Sequence, residues 1–159
     1  MNHLFATWRM NYVTAPKREG CIFCDFPAKD RDEEHFILYR GGACFVILNI
    51  YPYNPGHMMV APYRHTNLYE TLTNEEHAEM ARLSAEAVST LKRVSAPDGF
   101  NIGMNLGKTA GAGFADHLHL HVVPRWNGDN NFMPVVTDTR VVPEALSATY
   151  GKLRECWGA

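Results

Sequence analysis

The chain has 159 residues, a formal net charge of −2, 46% hydrophobic residues and 20% charged residues. This length and balance are typical of one ordinary globular domain with a substantial core. The small negative charge argues against a basic nucleic-acid groove and against a cationic membrane surface. The sequence has no apolar run near the length of a membrane span, and its start lacks the hydrophobic region of a signal peptide. We therefore expect a cytoplasmic protein that binds neither nucleic acid nor membrane.

The first chemical motif is a pair of cysteines that follows an N-terminal arm over 1–20 without periodicity. Cys21 and Cys24 form a Cys-x-x-Cys, which in the cytosol indicates metal binding or redox chemistry rather than a structural disulfide. A redox pair would need a long helix directly after it, and Pro27 and the charged run over 30–34 argue against one. The charged run is predicted to be a solvated loop. Two interpretations of the cysteines stay open, half of a zinc site or two small buried residues.

Four strands come next in the prediction, over 35–39, 43–49, 57–62 and 100–105. Between the third and the fourth, a capping box at 73–76 starts a helix over 74–94, whose apolar residues recur every three or four positions. A further helix is predicted to begin at Pro143. With the histidine strand described below, this order predicts an α+β fold: an antiparallel sheet of about five strands with one long helix and a C-terminal helix.

The chain is predicted to form a single domain over 1–159, because no internal repeat, linker or low-complexity tract divides it. Within this domain we distinguish the arm over 1–20, a motif-bearing core over 21–126, and a C-terminal extension over 127–159.

The most informative stretch is a strand predicted over 117–124, in which three histidines alternate with apolar residues. Successive side chains of a strand point to opposite faces, so His117, His119 and His121 share one face. The apolar face can dock on a core and fix the register. Imidazole acts near neutral pH as nucleophile, base or metal ligand. Two other interpretations are a solvated polar strand face and a metal site that uses all three histidines.

The sequence His-Leu-His-Leu-His-Val-Val resembles the signature of the histidine triad superfamily, in which three histidines alternate with apolar residues. Asn49 stands eight residues before His57 in a stretch similar to the nucleoside-binding strand and Pro-Gly-His turn of that family. The resemblance runs from about Cys21 to Trp126. The segments 8–10 and 123–129 look like a bacterial branch described as diadenosine tetraphosphate phosphorylases.

This resemblance implies a reaction in which a nucleoside mono- or polyphosphate transfers its nucleotidyl group through the middle histidine. It implies that His119 is the nucleophile, that the backbone carbonyl of His117 holds its other nitrogen, and that His121 contacts oxygens of the phosphate or leaving group. A covalent intermediate divides one difficult displacement into two easier ones. The implied substrates are (di)nucleoside polyphosphates such as diadenosine tetraphosphate, with adenine nucleotides expected.

Three other functions remain open at this point. One is hydrolysis of nucleoside phosphoramidates, and another is a non-catalytic scaffold that binds nucleotides. The third is a nucleic-acid-associated zinc module, which the net charge of −2 disfavours.

The resemblance also implies the nucleotide contacts, which we expect from Asn49 at the ribose, from a base pocket, from phosphate-loop donors and from the Pro-Gly-His turn. Besides Asn49, the residues expected to contact the nucleotide are Ile47, Ile50, His57, Asn105, Gly107, Thr109 and Gly113. One departure from the family pattern lies just before the triad. Many members carry Gly-Gln-Ser or Gly-Gln-Thr there, whereas this chain has Ala-Gly-Phe over 112–114 in a loop that is one residue longer. The contacts to the leaving group are therefore expected to differ.

Some triad proteins carry a structural zinc, and four residues match its ligands: Cys21, Cys24, His65 and His117. Two thiolates and two imidazoles make a closed tetrahedral set without an open position for substrate, so zinc would brace the catalytic strand. No organic cofactor is implied.

The family usually pairs its subunits, which implies a homodimer. A tetramer is the alternative, because the arm that carries Trp8 has no place in a minimal triad fold.

Overall fold

The computed structural model describes residues 20–129 and 144–159. Five strands form one sheet in the order β1-β2-β3-β5-β4, and each neighbouring pair is antiparallel. Their bounds are Ile37–Arg40 (β1), Cys44–Leu48 (β2), Met58–Pro62 (β3), Gly99–Met104 (β4) and Leu120–Arg125 (β5). The predicted antiparallel α+β fold is confirmed.

Among the described residues, four α-helices accompany the sheet: Ile22–Asp25 (α1), Asp32–His35 (α2), Asn74–Ser95 (α3) and Leu146–Glu155 (α4). The long helix α3 begins with the predicted capping box. The Glu76 N–H donates to the Thr73 hydroxyl oxygen at 3.1 Å, and the Thr73 N–H donates to the Glu76 carboxylate at 2.8 Å. Pro143, where the C-terminal helix was expected to begin, lies outside the described residues, as does Trp8.

The sheet has one face that is covered by helices and one face that carries the histidines. The apolar stripe of α3 and the buried side chains of α4 pack on the first face, against Val46, Val60 and Val122. A smaller core that includes Phe23, Phe45 and Ile47 lies apart from that cluster. Within residues 20–129 and 144–159, the structure contains no helix that is both long and apolar enough to cross a bilayer.

The two edges of the sheet differ in how they are protected. At β1, the Tyr150 hydroxyl donates to the carbonyl of Ile37 at 3.1 Å, and Arg154 donates to the carbonyl of Leu38, so α4 covers this edge. At the opposite edge, β4 is mostly half-buried or exposed, and the side chain of Ile102 is 51% exposed. An edge strand in this condition can pair with another chain.

Two local predictions are corrected by the structure. His35 ends α2 instead of starting a strand, because Phe36 takes a left-handed backbone with φ of 58° and separates the helix from β1. The charged run is likewise not only a loop, since α2 occupies part of it and Asp32 forms an ion pair with Arg40 at 2.7 Å.

The histidine strand begins three residues later than predicted, at Leu120, where pairing with Val60 of β3 starts. The preceding segment leaves β3, and the N–H of Leu118 donates to the carbonyl of Thr66 at 2.7 Å, beyond the end of that strand. Leu118 still joins the helix-side core.

Candidate active site and metal centre

His119 is held as a neutral ring with a free lone pair. Its Nδ1 lies 2.9 Å from the carbonyl oxygen of His117. Because a carbonyl oxygen only accepts, the ring proton sits on Nδ1 and the lone pair on Nε2. Burial lowers the pKa of His119, which favours the uncharged ring. A neutral imidazole with an unprotonated Nε2 is the form that can attack an electrophile.

His121 is held in the opposite tautomer through a chain of hydrogen bonds. The backbone N–H of Tyr53 donates to His57 Nδ1 at 3.1 Å, so the proton of His57 sits on Nε2. That Nε2 lies 2.9 Å from His121 Nδ1 and donates to it. His121 therefore carries its own proton on Nε2, and burial lowers its pKa to about 4. The ring is a neutral donor with its centroid 4.8 Å from that of His119.

A cavity of about 490 Å³ opens beside these two imidazoles. Its walls combine apolar side chains with a few polar groups, which is the usual composition of a small-molecule site. The apolar side chains include Ile22, Phe26, Ile47, Ile50 and Met59, and the polar ones include Asn49, Asn105, His119 and His121.

The structure places five of the predicted nucleotide contacts in the cavity wall and three outside it. Ile47, Asn49, Ile50, Asn105 and Gly113 line the cavity. His57 does not line it, because the ring is buried and hydrogen-bonded to His121. Gly107 and Thr109 also lie outside the lining. Thr109 is exposed in a short 3₁₀ turn over Lys108–Ala110 that keeps it away from the wall.

Sequence reasoning missed Phe23, which contacts the candidate nucleophile. Its ring is fully buried and stacks on His119 with a centroid distance of 4.7 Å and an interplanar angle of 25°. It also contacts His117, at 5.2 Å between centroids. Phe23 lies between the two cysteines of the Cys-x-x-Cys, so this knuckle sets the position of a ring against His119. An apolar residue inside the motif was the only signal in the sequence.

The four predicted metal ligands come together from three separate parts of the chain. The ligand atoms of Cys21, Cys24, His65 and His117 all lie within 4.8 Å of one another. The shortest separations between a sulfur and an Nδ1, or between two Nδ1 atoms, are 3.2 to 3.5 Å. A tetrahedron with zinc bond lengths places such atoms about 3.3 to 3.8 Å apart. The separations therefore match those of a tetrahedral zinc site.

The tautomer of His117 also fits a metal ligand. Its Nε2 donates to the carbonyl of Pro62 at 2.9 Å, which leaves a lone pair on Nδ1. This Nδ1 lies 3.3 Å from Sγ of Cys21. Burial raises the pKa of the Cys24 thiol to about 11, and the hydrogen bond with Cys21 is the second contribution to this rise. A bound cation would reverse this preference, because a metal ion binds the thiolate and releases the proton.

A row of three histidines in which His119 offers a lone pair and His121 offers an N–H to one cavity is the arrangement expected of the histidine triad class of proteins. The HIT domain family model matches residues 30–128, and the chain belongs to this family.

Similar proteins extend the comparison over nearly the whole chain. An AP-4-A phosphorylase of Mycobacterium tuberculosis (strain H37Rv) is 41% identical over 165 residues, covering 99% of this chain and 85% of the relative. Among solved structures, a zinc-bound histidine triad family protein from Mycobacterium smegmatis is 30% identical with a TM-score of 0.70, covering 87% of this chain and 93% of that one. A hypothetical histidine triad nucleotide-binding protein from Sulfolobus tokodaii strain 7 is 28% identical with a TM-score of 0.68, covering 86% and 91%.

Proposed function

We propose that the chain is a nucleotidyl transferase or hydrolase that cleaves dinucleoside polyphosphates such as diadenosine tetraphosphate through a nucleotidyl group on His119. The observation that carries the proposal is the pair of opposite tautomers in one cavity. His119 offers a lone pair and His121 offers an N–H. The relative named AP-4-A phosphorylase supports the choice of substrate class.

In the first step, His119 Nε2 attacks the α-phosphorus of the substrate. The bond from this phosphorus to the bridging oxygen breaks, and the oxygen departs as a polyphosphate anion that accepts a hydrogen bond from His121 Nε2, whose neutral ring keeps its proton. The carbonyl of His117 stabilises the positive charge that develops on the attacking ring, because it accepts the Nδ1 proton. A nucleotidyl group is then joined to Nε2 of His119.

In the second step, water or inorganic phosphate attacks the same phosphorus, and the bond from phosphorus to nitrogen breaks. His119 leaves as the neutral ring with its proton on Nδ1. Water loses one proton to solvent, whereas inorganic phosphate attacks through an anionic oxygen, and His121 keeps its proton throughout.

For the nucleotide itself, the apolar walls of the cavity, including Ile47 and Ile50, are proposed to take the base. Asn49 is proposed to contact the ribose, and Asn105 and Gly113 to donate to phosphate oxygens. Gly107 and Thr109 stay predictions that the cavity lining does not support.

Structural zinc is proposed at Cys21, Cys24, His65 and His117, with no organic cofactor. The separations of the four ligand atoms and the zinc-bound relative from Mycobacterium smegmatis support this assignment. The metal would fix His117, whose carbonyl holds His119, and it would supply no step of the reaction.

We also propose that two copies pair through the edge of β4, where Ile102 is 51% exposed, to form a symmetric homodimer. Light scattering at micromolar concentration would then show twice the chain mass, or four times for a tetramer. A single species near 17.9 kDa would contradict the proposal. The cytoplasmic location stays a prediction.

The test of function is a product assay with diadenosine tetraphosphate, with and without inorganic phosphate, and with His119→Ala as the background control. Attack at the α-phosphorus must release ATP in both cases, accompanied by ADP when phosphate is the acceptor and by AMP when water is. Formation of two ADP molecules without phosphate would contradict α-attack. Binding of the dinucleotide without turnover would identify a scaffold instead of an enzyme.

A further inference from the structure

A second cavity, of about 420 Å³, meets the first one at His121. The first cavity lies over β2 and β3, whereas the second lies over β4 and β5, so the two occupy opposite sides of this histidine. Tyr53, Asn105 and His121 line both. We call the second cavity the β4 groove, and its distinguishing residues are Asn101, Gly103 and Arg125.

We propose that the β4 groove binds the phosphate-bearing group that lies opposite His119 during transfer, either the departing nucleoside polyphosphate or the inorganic phosphate that accepts the nucleotidyl group. This inference rests on the proposed function. In an in-line displacement, the leaving oxygen departs on the side opposite the attacking nitrogen. In the second step the acceptor attacks from that same side, because it must displace His119. Leaving group and acceptor therefore share one place, beside the histidine whose Nε2–H can donate a hydrogen bond to their oxygens.

The groove contains a guanidinium in a fixed position with donors to spare. Arg125 Nη1 donates to the side-chain oxygen of Asn101 at 2.7 Å, and its Nε and Nη2 donate to Asp129 at 2.5 and 2.9 Å. Asp129 also accepts from the amide of Asn54 at 2.9 Å. A guanidinium has five N–H groups, so these three bonds with described residues leave two for a ligand. Because Asp129 balances the charge of Arg125, the groove would bind phosphate by oriented donors instead of by excess charge.

The amide of Asn105 stands where the two cavities meet. It has no hydrogen-bond partner among residues 20–129 and 144–159, so its donors are available to a phosphate chain that passes from one cavity to the other.

Gly103 keeps the groove open beside His121. The two residues are paired across β4 and β5, which places their side-chain positions on the same face. A Cβ built at Gly103 would meet no atom within 4 Å, and the backbone lacks the positive φ that would require glycine. A side chain here would enter empty space without straining the strand, and valine is well suited to a strand. The glycine therefore leaves room for a large group next to the His121 ring.

The test replaces Gly103 by valine and compares two substrates that share the adenosine phosphate but differ in the group that leaves. Diadenosine tetraphosphate releases ATP, whereas adenosine 5′-phosphorofluoridate releases only fluoride. We expect Gly103→Val to lower the ratio of their kcat/KM values by about 10-fold or more, because only the larger group needs the groove. Gly42→Val is the control, since Gly42 has equal open space at its Cβ, lacks a positive φ and lines neither cavity.

A second arm uses the phosphorofluoridate alone and varies inorganic phosphate, which separates the acceptor from the leaving group. A raised KM for phosphate in Gly103→Val and in Arg125→Gln, with hydrolysis by water maintained, would assign the groove to the acceptor. A lowered substrate ratio would assign it to the departing nucleotide, and either result supports the proposal. If the variants fold, as verified by thermal melting, and give the parent's values in both arms, the groove proposal is wrong and the proposed function is unaffected. Inactivity of the parent protein on both substrates would overturn the proposed function and, with it, the groove proposal.

Discussion

The first two histidines of the row share one sequence pattern and differ in their chemistry. At the first, the carbonyl of Pro62 accepts the Nε2 proton of His117, and the lone pair on Nδ1 faces two thiols. At the second, the carbonyl of His117 accepts the Nδ1 proton of His119, and the lone pair is left on Nε2 beside the cavity. A metal ligand and a nucleophile are thus distinguished by which ring nitrogen a backbone carbonyl engages.

These two histidines are also physically connected. His117 belongs to the thiol–imidazole cluster and its carbonyl orients His119, while Phe23 contacts both rings. Loss of the cluster should therefore disturb the nucleophile indirectly. Loss of the nucleophile should leave the cluster intact. The following predictions use this asymmetry.

Removing the nucleophile should produce the largest effect. We expect His119→Ala to lower nucleotidyl transfer by about 10³-fold or more, because no other group in the row offers an unprotonated nitrogen to the cavity. Zinc content and nucleotide binding, measured by metal analysis and calorimetry, should match those of the parent. His77→Ala, on α3 and outside both cavities, is the control. A His119→Gly variant that turns over at the parent rate would contradict the mechanism.

Removing a cluster ligand should act first on stability. The parent should contain about one zinc per chain, and Cys21→Ser should lose it and melt about 5 °C lower or more, since binding energy at a structural site is folding energy. The loss of activity should be smaller than in His119→Ala. Cys156→Ser removes a thiol that is not part of the cluster and should retain the metal. Parent protein that holds no zinc after purification without chelators would refute the metal site and leave the triad chemistry standing.

Removing the hydrogen-bond donor at His121 should slow most those substrates whose leaving oxygen develops the most basic negative charge. We expect His121→Ala to lower the rate with diadenosine tetraphosphate by about 10²-fold, a typical value for the loss of one donor to developing charge. The rate with adenosine 5′-phosphorofluoridate should change less, because fluoride is a weaker base than a terminal phosphate oxygen. Steady-state rates with both substrates measure the difference, and equal losses would show that His121 has another role.

The smallest effect is expected behind this hydrogen-bond donor, at His57, which fixes the tautomer of His121. His57→Phe removes the donor and should lower turnover by about 10-fold. His57→Gln retains an N–H and should recover part of the loss. Nitrogen chemical shifts of the His121 ring, followed by NMR, should show mixed tautomers in the phenylalanine variant alone. A single tautomer in both variants would eliminate the relay.

Local signals in the sequence were sufficient for most of the fold. The capping box at Thr73 and Glu76 located the start of α3, because it is formed by neighbouring residues. Alternation gave the sharing of faces in the histidine row, and Leu118 does join the helix-side core. The hydrogen-bonded pairing of the histidine strand with β3 begins only at Leu120. The start of this pairing depends on where β3 ends, and the alternation of residues does not encode that position. His35 ends a helix because Phe36 takes a left-handed backbone conformation. Glycine is the usual sequence signal for that conformation, and this position has none.

The site was less predictable where contacts join distant parts of the chain. The resemblance located the cysteines and histidines of the cluster, and the structure brings them together. The stacking of Phe23 on His119 spans 96 positions, and no local spacing indicates it. Arg125 and Asp129 form a local ion pair, but their place in the β4 groove depends on Asn54 and Asn101 from other segments.

The most direct test of the central claim is the covalent intermediate itself. Parent protein would be mixed briefly with adenosine 5′-phosphorofluoridate without phosphate, quenched under non-acidic conditions, digested and analysed by mass spectrometry. The account predicts an adenylyl phosphoramidate on His119 and none on His117 or His121, with no adduct in His119→Ala. An adduct on another residue, or turnover in which no adduct can be trapped while His119→Ala remains active, would contradict it.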